Sequence, residues 1–286
     1  MGVAALGVAS RDTDVAAAIV SPTRKLDRIG LQLYTVRDLM KADMPATLAR
    51  VAAIGYKEVE FAGYFNYTPP QVRAALAKHG LTAPSAHIDY ASLAPDKLPA
   101  AIDAAKTIGH TFLVNPWLDE AMRKEPDIWQ KISDTYNRAG EMTHKSGIQF
   151  AYHNHNFEFV PVNGTLPYDL LLERCDANLV KMEMDLCWIT AAGHDPLEYF
   201  RKYPGRFPMV HVKGLARIPA TGAATPINDV LPDVVDVGRG DVIDWKRLFA
   251  QSSQAGIKHY FVEHDIPKAP FASLKNSYDY LKALQF

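Results

Sequence analysis

The chain has only two cysteines in 286 residues, Cys175 and Cys187, and they have no CxxC spacing. Neither a disulfide framework nor a thiolate zinc site is expected, and both thiols should be small core residues. No apolar run approaches the roughly 20 residues a membrane span requires, so no membrane partner is expected. Neither sign of charge is in excess: 31 basic residues stand against 32 acidic ones, for a formal net charge of -1. Without a positive field to attract phosphate backbones, nucleic acid is not an expected partner either. Two nucleotide signatures are also missing. There is no GxGxxG turn after an early strand and no GxxxxGK[ST] run, which argues against an open dinucleotide-binding sheet and a phosphate loop.

What is present is material for a large core, since 48% of the residues are hydrophobic and 22% charged. The opening "MGVAALGVAS" and the following "VAAAIV" look like the apolar region and cleavage zone of an export signal that lacks a basic start. Residues 1–27 are therefore set apart, as a truncated signal or as a disordered leader, and residues 28–286 are expected to form one domain. The location is accordingly cytoplasmic or periplasmic.

Short β-branched and apolar runs then alternate with helical patterns. Strands are expected at 28–36, 56–63, 81–89, 111–117, 148–155, 179–186, 207–214 and 259–265. Between them lie segments with apolar residues at i, i+3, i+4 and i+7; "PATLARVAAIG" and "PPQVRAALAKHG" begin with proline and end in glycine, as helices do. Strand and helix alternating eight times predict an α/β fold, a (β/α)8 TIM barrel, for which roughly 250 residues is ordinary.

That fold places its active site at the C-terminal ends of the strands. Side-chain alternation then selects the inward set as Gln32 with Tyr34, Glu60, His87, Asn115, His153 with His155, Asp185, His211 with Lys213, and Glu263. Every strand ends polar. Ionisable groups converging in one cavity need compensation, and a cation is the simplest form of it. Glu158, Asp185, His211 and Glu263 make a mixed oxygen and nitrogen set without thiolate, which suits Mn²⁺, Mg²⁺, Co²⁺ or Zn²⁺ in an open catalytic site.

The motifs "LQLYTVRD", "YHNHNFEF", "DLCWITAAGHDP", "YPGRF" with "VHVKG", and "VGRGDVIDW" before "FVEHD" occur in that order. Together, over about residues 30–286, they resemble the sugar phosphate isomerase/epimerase family with its xylose-isomerase-like barrel. The resemblance implies a divalent ion held by residues after strands five to eight, and Asp185, His211 and Glu263 match that pattern. Arg217, six residues past the ligand histidine, matches a substrate-holding position. Strand five departs from the family pattern, because "YHNH" puts His153 where a ligand glutamate stands; either His153 ligates, or Glu158 reaches back to take its place. Strand six departs as well, and Trp188 is expected to wall the pocket.

The implied chemistry is proton abstraction next to the carbonyl of a sugar, assisted by the metal and assigned to His153, His155, Glu158 and Glu263. His87, Lys213, Arg217, Trp188, Glu60 and Asn115 are the expected substrate contacts. Return of the proton makes the protein an isomerase or epimerase. Departure of a β-leaving group makes it a lyase or dehydratase, a reaction known in this branch on 3-keto glycosides. A zinc-dependent DNA repair enzyme of the endonuclease IV type and an inactive sugar-binding module are the readings from other classes. Homo-oligomers are common among such barrels. The long connection at 214–243 is expected to fold over the mouth as a lid, and His79, His110 and His144 should lie on the surface at the opposite end.

Overall fold

The computed structural model describes residues 1–2, 24–125 and 127–286. Most of the leader therefore lies outside the described residues. From Arg24 onward the chain joins the domain: Arg24 and Phe286 exchange both backbone hydrogen bonds, at 2.7 and 3.0 Å, and Leu26 is buried.

Eight parallel strands close into one barrel. They are β1 (Gly30–Gln32), β2 (Glu58–Phe61), β3 (Thr82–His87), β4 (Phe112–Asn115), β5 (Gln149–His153), β6 (Val180–Asp185), β7 (Met209–Val212) and β8 (His259–Val262). Each pairs with its sequence neighbours, and β1 closes the ring on β8 with Gly30 opposite Phe261. That pairing is close, because a Cβ on Gly30 would press against the Phe261 ring. Every strand falls within its expected segment but is shorter, since the residues beyond the ladder bend outward into the loops that build the site.

Helices follow the strands, among them Met44–Ile54, Pro69–His79, Leu98–Ile108, Ile128–His144, Pro167–Arg174 and Pro270–Ala283. Five of these six have Pro at the first or second position, where the missing N–H leaves no bond unmade. Their buried faces pack on the outward side chains of the strands to form the main core, which includes Val59, Leu113, Phe150, Met182 and Val210. Both cysteines are free and buried in it.

Inside the barrel the alternation separates two zones. Phe112, Val114, Ala151, Met209 and Phe261 form a small apolar cluster of their own. Toward the C-terminal mouth the next inward positions are Glu60, His87, His153, Asp185, His211 and Glu263. Asn115 departs from the expected parity. Its side chain faces the helix layer, where Oδ1 accepts the Tyr136 hydroxyl at 2.7 Å and Nδ2 donates to Ile88 O. The strand "FLVN" is apolar on both faces, so hydrophobicity alone could not tell inward from outward.

His110 likewise departs from expectation. It is 4% exposed, its Nδ1 lies 2.6 Å from Ala83 O, and its ring stacks on Tyr64. The connection after β7 folds back on itself, with Gly214–Leu215 pairing antiparallel to Val234–Val235. Within it, the short helix Ile227–Val230 and Leu231 lie over the mouth.

Candidate active site and metal centre

Four neighbouring strands bring one side chain each to a common point. Asp185 closes β6 and caps the helix Leu186–Ala191: Oδ1 accepts the Cys187 and Trp188 amides at 2.9 and 2.8 Å. Oδ2 is left facing inward, 3.8 Å from His211 Nδ1 and 3.9 Å from His153 Nε2. Lys213 Nζ is 3.1 Å from the same oxygen but outside hydrogen-bond geometry, so the short distance is read as an ion-pair contact only. Glu263 Oε2 lies 2.9 Å from His211 Nδ1 and 2.7 Å from Lys213 Nζ. Asp265 completes the lysine's surroundings at 3.2 Å.

Burial sets the electrostatics. It raises the Asp185 carboxyl to about 6 against the pull of Lys213 and His211. It also works against charge on Glu263, but Lys213 and His211 hold that carboxyl well below its ordinary value. Burial and the positive field of His211 push the His153 imidazole far down, so it stays neutral. His155 is lowered well below its usual value too, by burial and then by Lys213.

Donor atoms of His153, Asp185 and His211 lie within 4.8 Å of one another, with Glu263 beside them. Asp185 Oδ2 is buried without a hydrogen-bond partner among the described residues, and His153 Nε2 faces it. An unpartnered buried carboxylate oxygen converging with a second carboxylate and two imidazoles fits a divalent cation. The ring nitrogen of His211 that faces away from this point lies 2.7 Å from Glu60 Oε2, the support a ligand histidine commonly has.

Each residue of "HNHNFE" has a separate place. His153 faces the cluster. Asn154 Oδ1 accepts the Asp185 amide at 3.1 Å and so ties the end of β5 to the end of β6. His155 lines the cavity, its ring stacked on Phe157 and edge-on to Trp117. Asn156 Nδ2 donates to Thr225 O at 2.7 Å, joining the lid to this loop. Glu158 accepts the Tyr152 hydroxyl and, at 2.9 Å, the His155 amide. Its carboxyl, fully buried, is raised to about 7.

The cavity above the cluster measures about 870 Å³. Its depth is polar, with His87, His153, His155, Lys213, Glu263 and Asp265. Tyr34, Trp117 and Ile266 at its rim are the exposed apolar surface of the mouth.

The family model described as Xylose isomerase-like TIM barrel matches residues 48–284. The chain belongs to this family. An inosose dehydratase of Geobacillus thermodenitrificans is 27% identical over 177 residues, 60% of this chain and 57% of the relative. The chain thus spans a little over half the length of that curated relative. Two solved structures of a sugar phosphate isomerase/epimerase from Parabacteroides distasonis superpose with TM-scores of 0.72 and 0.74. They are 25% and 26% identical, cover 95% and 90% of this chain, and are themselves covered over 97% and 98%.

Within this family barrel, several expected site residues lie elsewhere than the sequence suggested. Both Glu158 oxygens are engaged behind β5, so it does not join the converging donors, and His153 stands there instead. Glu60 is fully buried beneath the cavity, held by Gln32 Nε2 at 2.6 Å and by the Ser85 hydroxyl. Arg217 is 74% exposed, pairs with Asp233 and does not line the cavity. Trp188, Lys213 and His87 do line it. Sequence reasoning gave no site role to Glu183 and Asp265; Glu183 lies two residues before Asp185 on the same face of β6 and so shares its direction, whereas Asp265 lies beyond the end of β8, where alternation does not reach.

Proposed function

We propose that the protein is a divalent-metal-dependent enzyme that removes a proton next to the carbonyl of a sugar or cyclic polyol ketone and expels a β-hydroxyl or other β-leaving group. His153, Asp185, His211 and Glu263 would hold the cation, with Mn²⁺ preferred and Mg²⁺, Co²⁺ or Zn²⁺ competing for the same donors. When bound, the cation supplies Lewis-acid polarisation of the substrate carbonyl.

The observation that carries the reading is His155. Its ring borders the cavity and is only partly buried, and burial together with the charge of Lys213 keeps the imidazole neutral, so it is placed to take a proton from a substrate carbon. A reversible epimerisation needs a second acid or base on the opposite face. Here the strand-five position that would supply a carboxylate carries His153, which faces the metal cluster. Elimination needs only one base, and Lys213, whose Nζ also lines the cavity beside Trp188, would meet the departing oxygen. Trp117 and Tyr34 offer flat faces for a sugar ring, and Ile227 and Leu231 of the lid exclude water. The similarity to an inosose dehydratase supports the same reaction class.

Isomerisation or epimerisation is the second reading, supported by the naming of the Parabacteroides relatives. Incubation in heavy water with an inosose and with free ketoses, followed by NMR, tests the choice. An unsaturated or dehydrated product supports elimination. Deuterium in an intact carbon skeleton overturns it in favour of the second reading. His155→Ala should abolish either outcome while the metal content stays unchanged.

A further inference from the structure

Beneath the upper cluster, His211 presents its other ring nitrogen to donors that the proposed reaction does not use. His211 Nε2 lies 2.7 Å from Glu60 Oε2 and 3.3 Å from Glu183 Oε2. His87 Nε2 lies 3.1 Å from each of the same two oxygens. Two nitrogens and two oxygens thus form a closed ring in which every nitrogen faces both oxygens, all four within 4.8 Å of one another. They come from β2, β3, β6 and β7, on opposite sides of the barrel. Glu60, Glu183 and His211 are fully buried, and the His87 side chain is 11% exposed.

Protons alone serve this ring poorly. A ring nitrogen carries at most one hydrogen, so two N–H groups would have to be shared among four N···O contacts. Glu60 has further support from Gln32 and Ser85. Glu183 has no such hydrogen bond beyond the ring: His153 Nδ1 stands 3.6 Å from its Oε2, too far to donate to it, and its Oε1 is buried without a partner among the described residues, a costly state for a carboxylate. A cation at the centre would meet all four donors at once. Bonds of about 2.0–2.1 Å in a tetrahedron imply donor–donor edges of about 3.3 Å. The four measured edges, 2.7 to 3.3 Å, are already close to that size.

We propose that Glu60, His87, Glu183 and His211 form a second divalent-cation site, a two-nitrogen, two-oxygen set suited to zinc or a similar borderline ion. His211 would then bridge the two sites as an imidazolate, Nδ1 to the upper and Nε2 to the lower, with the protons of both its ring nitrogens and of His87 Nε2 passing to solvent as the ions enter. The inference shares His211 with the metal centre proposed above but does not depend on the reaction assigned to it.

Equilibrium dialysis of the purified full-length protein against Zn²⁺, read by elemental analysis, tests it in the wild type and in Glu60→Gln, Glu183→Gln and Asp185→Asn. Two equivalents are expected in the wild type and one in each variant. With Co²⁺, the wild type should show spin coupling through the bridging ring, absent in Glu183→Gln. A wild type that saturates at one equivalent, lost in Asp185→Asn but kept in the other two variants, overturns the lower site and leaves the upper one standing. The lower cluster would then be hydrogen-bonded support for a ligand histidine. A wild type that binds no Zn²⁺ overturns both, and two equivalents in every variant overturns the residue assignment. Because the wild-type count alone decides whether a second ion binds, the test survives a variant that fails to fold.

Discussion

Replacing Glu158 by glutamine separates a supporting role from a metal-binding one. In the fold both carboxylate oxygens accept hydrogen bonds, from the Tyr152 hydroxyl and the His155 amide, and a glutamine can keep both contacts with its amide reoriented. What it loses is the titration. Burial raises the folded carboxyl from 4.5 to about 7. Below pH 4.5 the group is protonated in folded and unfolded chains alike, and its contribution is fully present. As pH rises through 7 the unfolded chain has already released its proton and the folded one must ionise in the interior, so stability is lost. The shift corresponds to about 3 kcal/mol across that window. Urea unfolding of wild type and Glu158→Gln at pH 4.5, 6 and 8 isolates this group, because the other titrations are common to both proteins and cancel in the difference. The variant should gain on the wild type by about 3 kcal/mol between pH 4.5 and 8, with unchanged metal content after dialysis. Parallel stability curves together with loss of metal would refute the supporting role and return Glu158 to the ligand set.

Asp185→Asn keeps the helix cap through its remaining oxygen but should lose retained metal and turnover, as should Glu263→Gln; Lys145→Ala, on the outer surface, should change neither in the same metal and activity assays. Asn156→Ala removes the 2.7 Å bond to Thr225 O and should loosen the lid by about 1 kcal/mol. Hydrogen exchange over 221–231 should then quicken about fivefold, and unchanged exchange would mean that the lid is held by other contacts. Gly238 has φ +77 and a Cβ there would run into the Tyr280 ring, whereas Gly240, φ +65, faces open space. Gly238→Ala should therefore cost about 2 kcal/mol or more in thermal unfolding and Gly240→Ala only about 1.

The barrel was legible because alternation and helix punctuation recur eight times, and a slip at one strand does not disturb the rest. The polar strand ends were legible for the same reason: on β6 and β7 the inward residues Asp185 and His211 stand between apolar neighbours, and Glu263 follows directly on the apolar end of β8. Asn115 was misplaced because β4 offers no polarity difference between its faces. At strand five, "YHNHNFE" contains two histidines and a glutamate within reach of one point, and sequence spacing cannot show that Tyr152 on the outward face draws Glu158 behind the strand. Arg217 was located by family position alone. Its partner Asp233 lies sixteen residues later, across the antiparallel pairing of the lid, which no local pattern announces.

The apolar cluster of Phe112, Val114, Ala151, Met209 and Phe261 gives the barrel a sealed floor. The concavity at the opposite end, lined by Lys181, His259 and Phe112, lies on the far side of that seal. The polar chamber is therefore blind: whatever is split from a substrate inside it leaves past Trp117 and Tyr34, by the route the substrate entered. Among the described residues, traffic through the barrel becomes two-way, and the segment joined to Asn156 stands over that door.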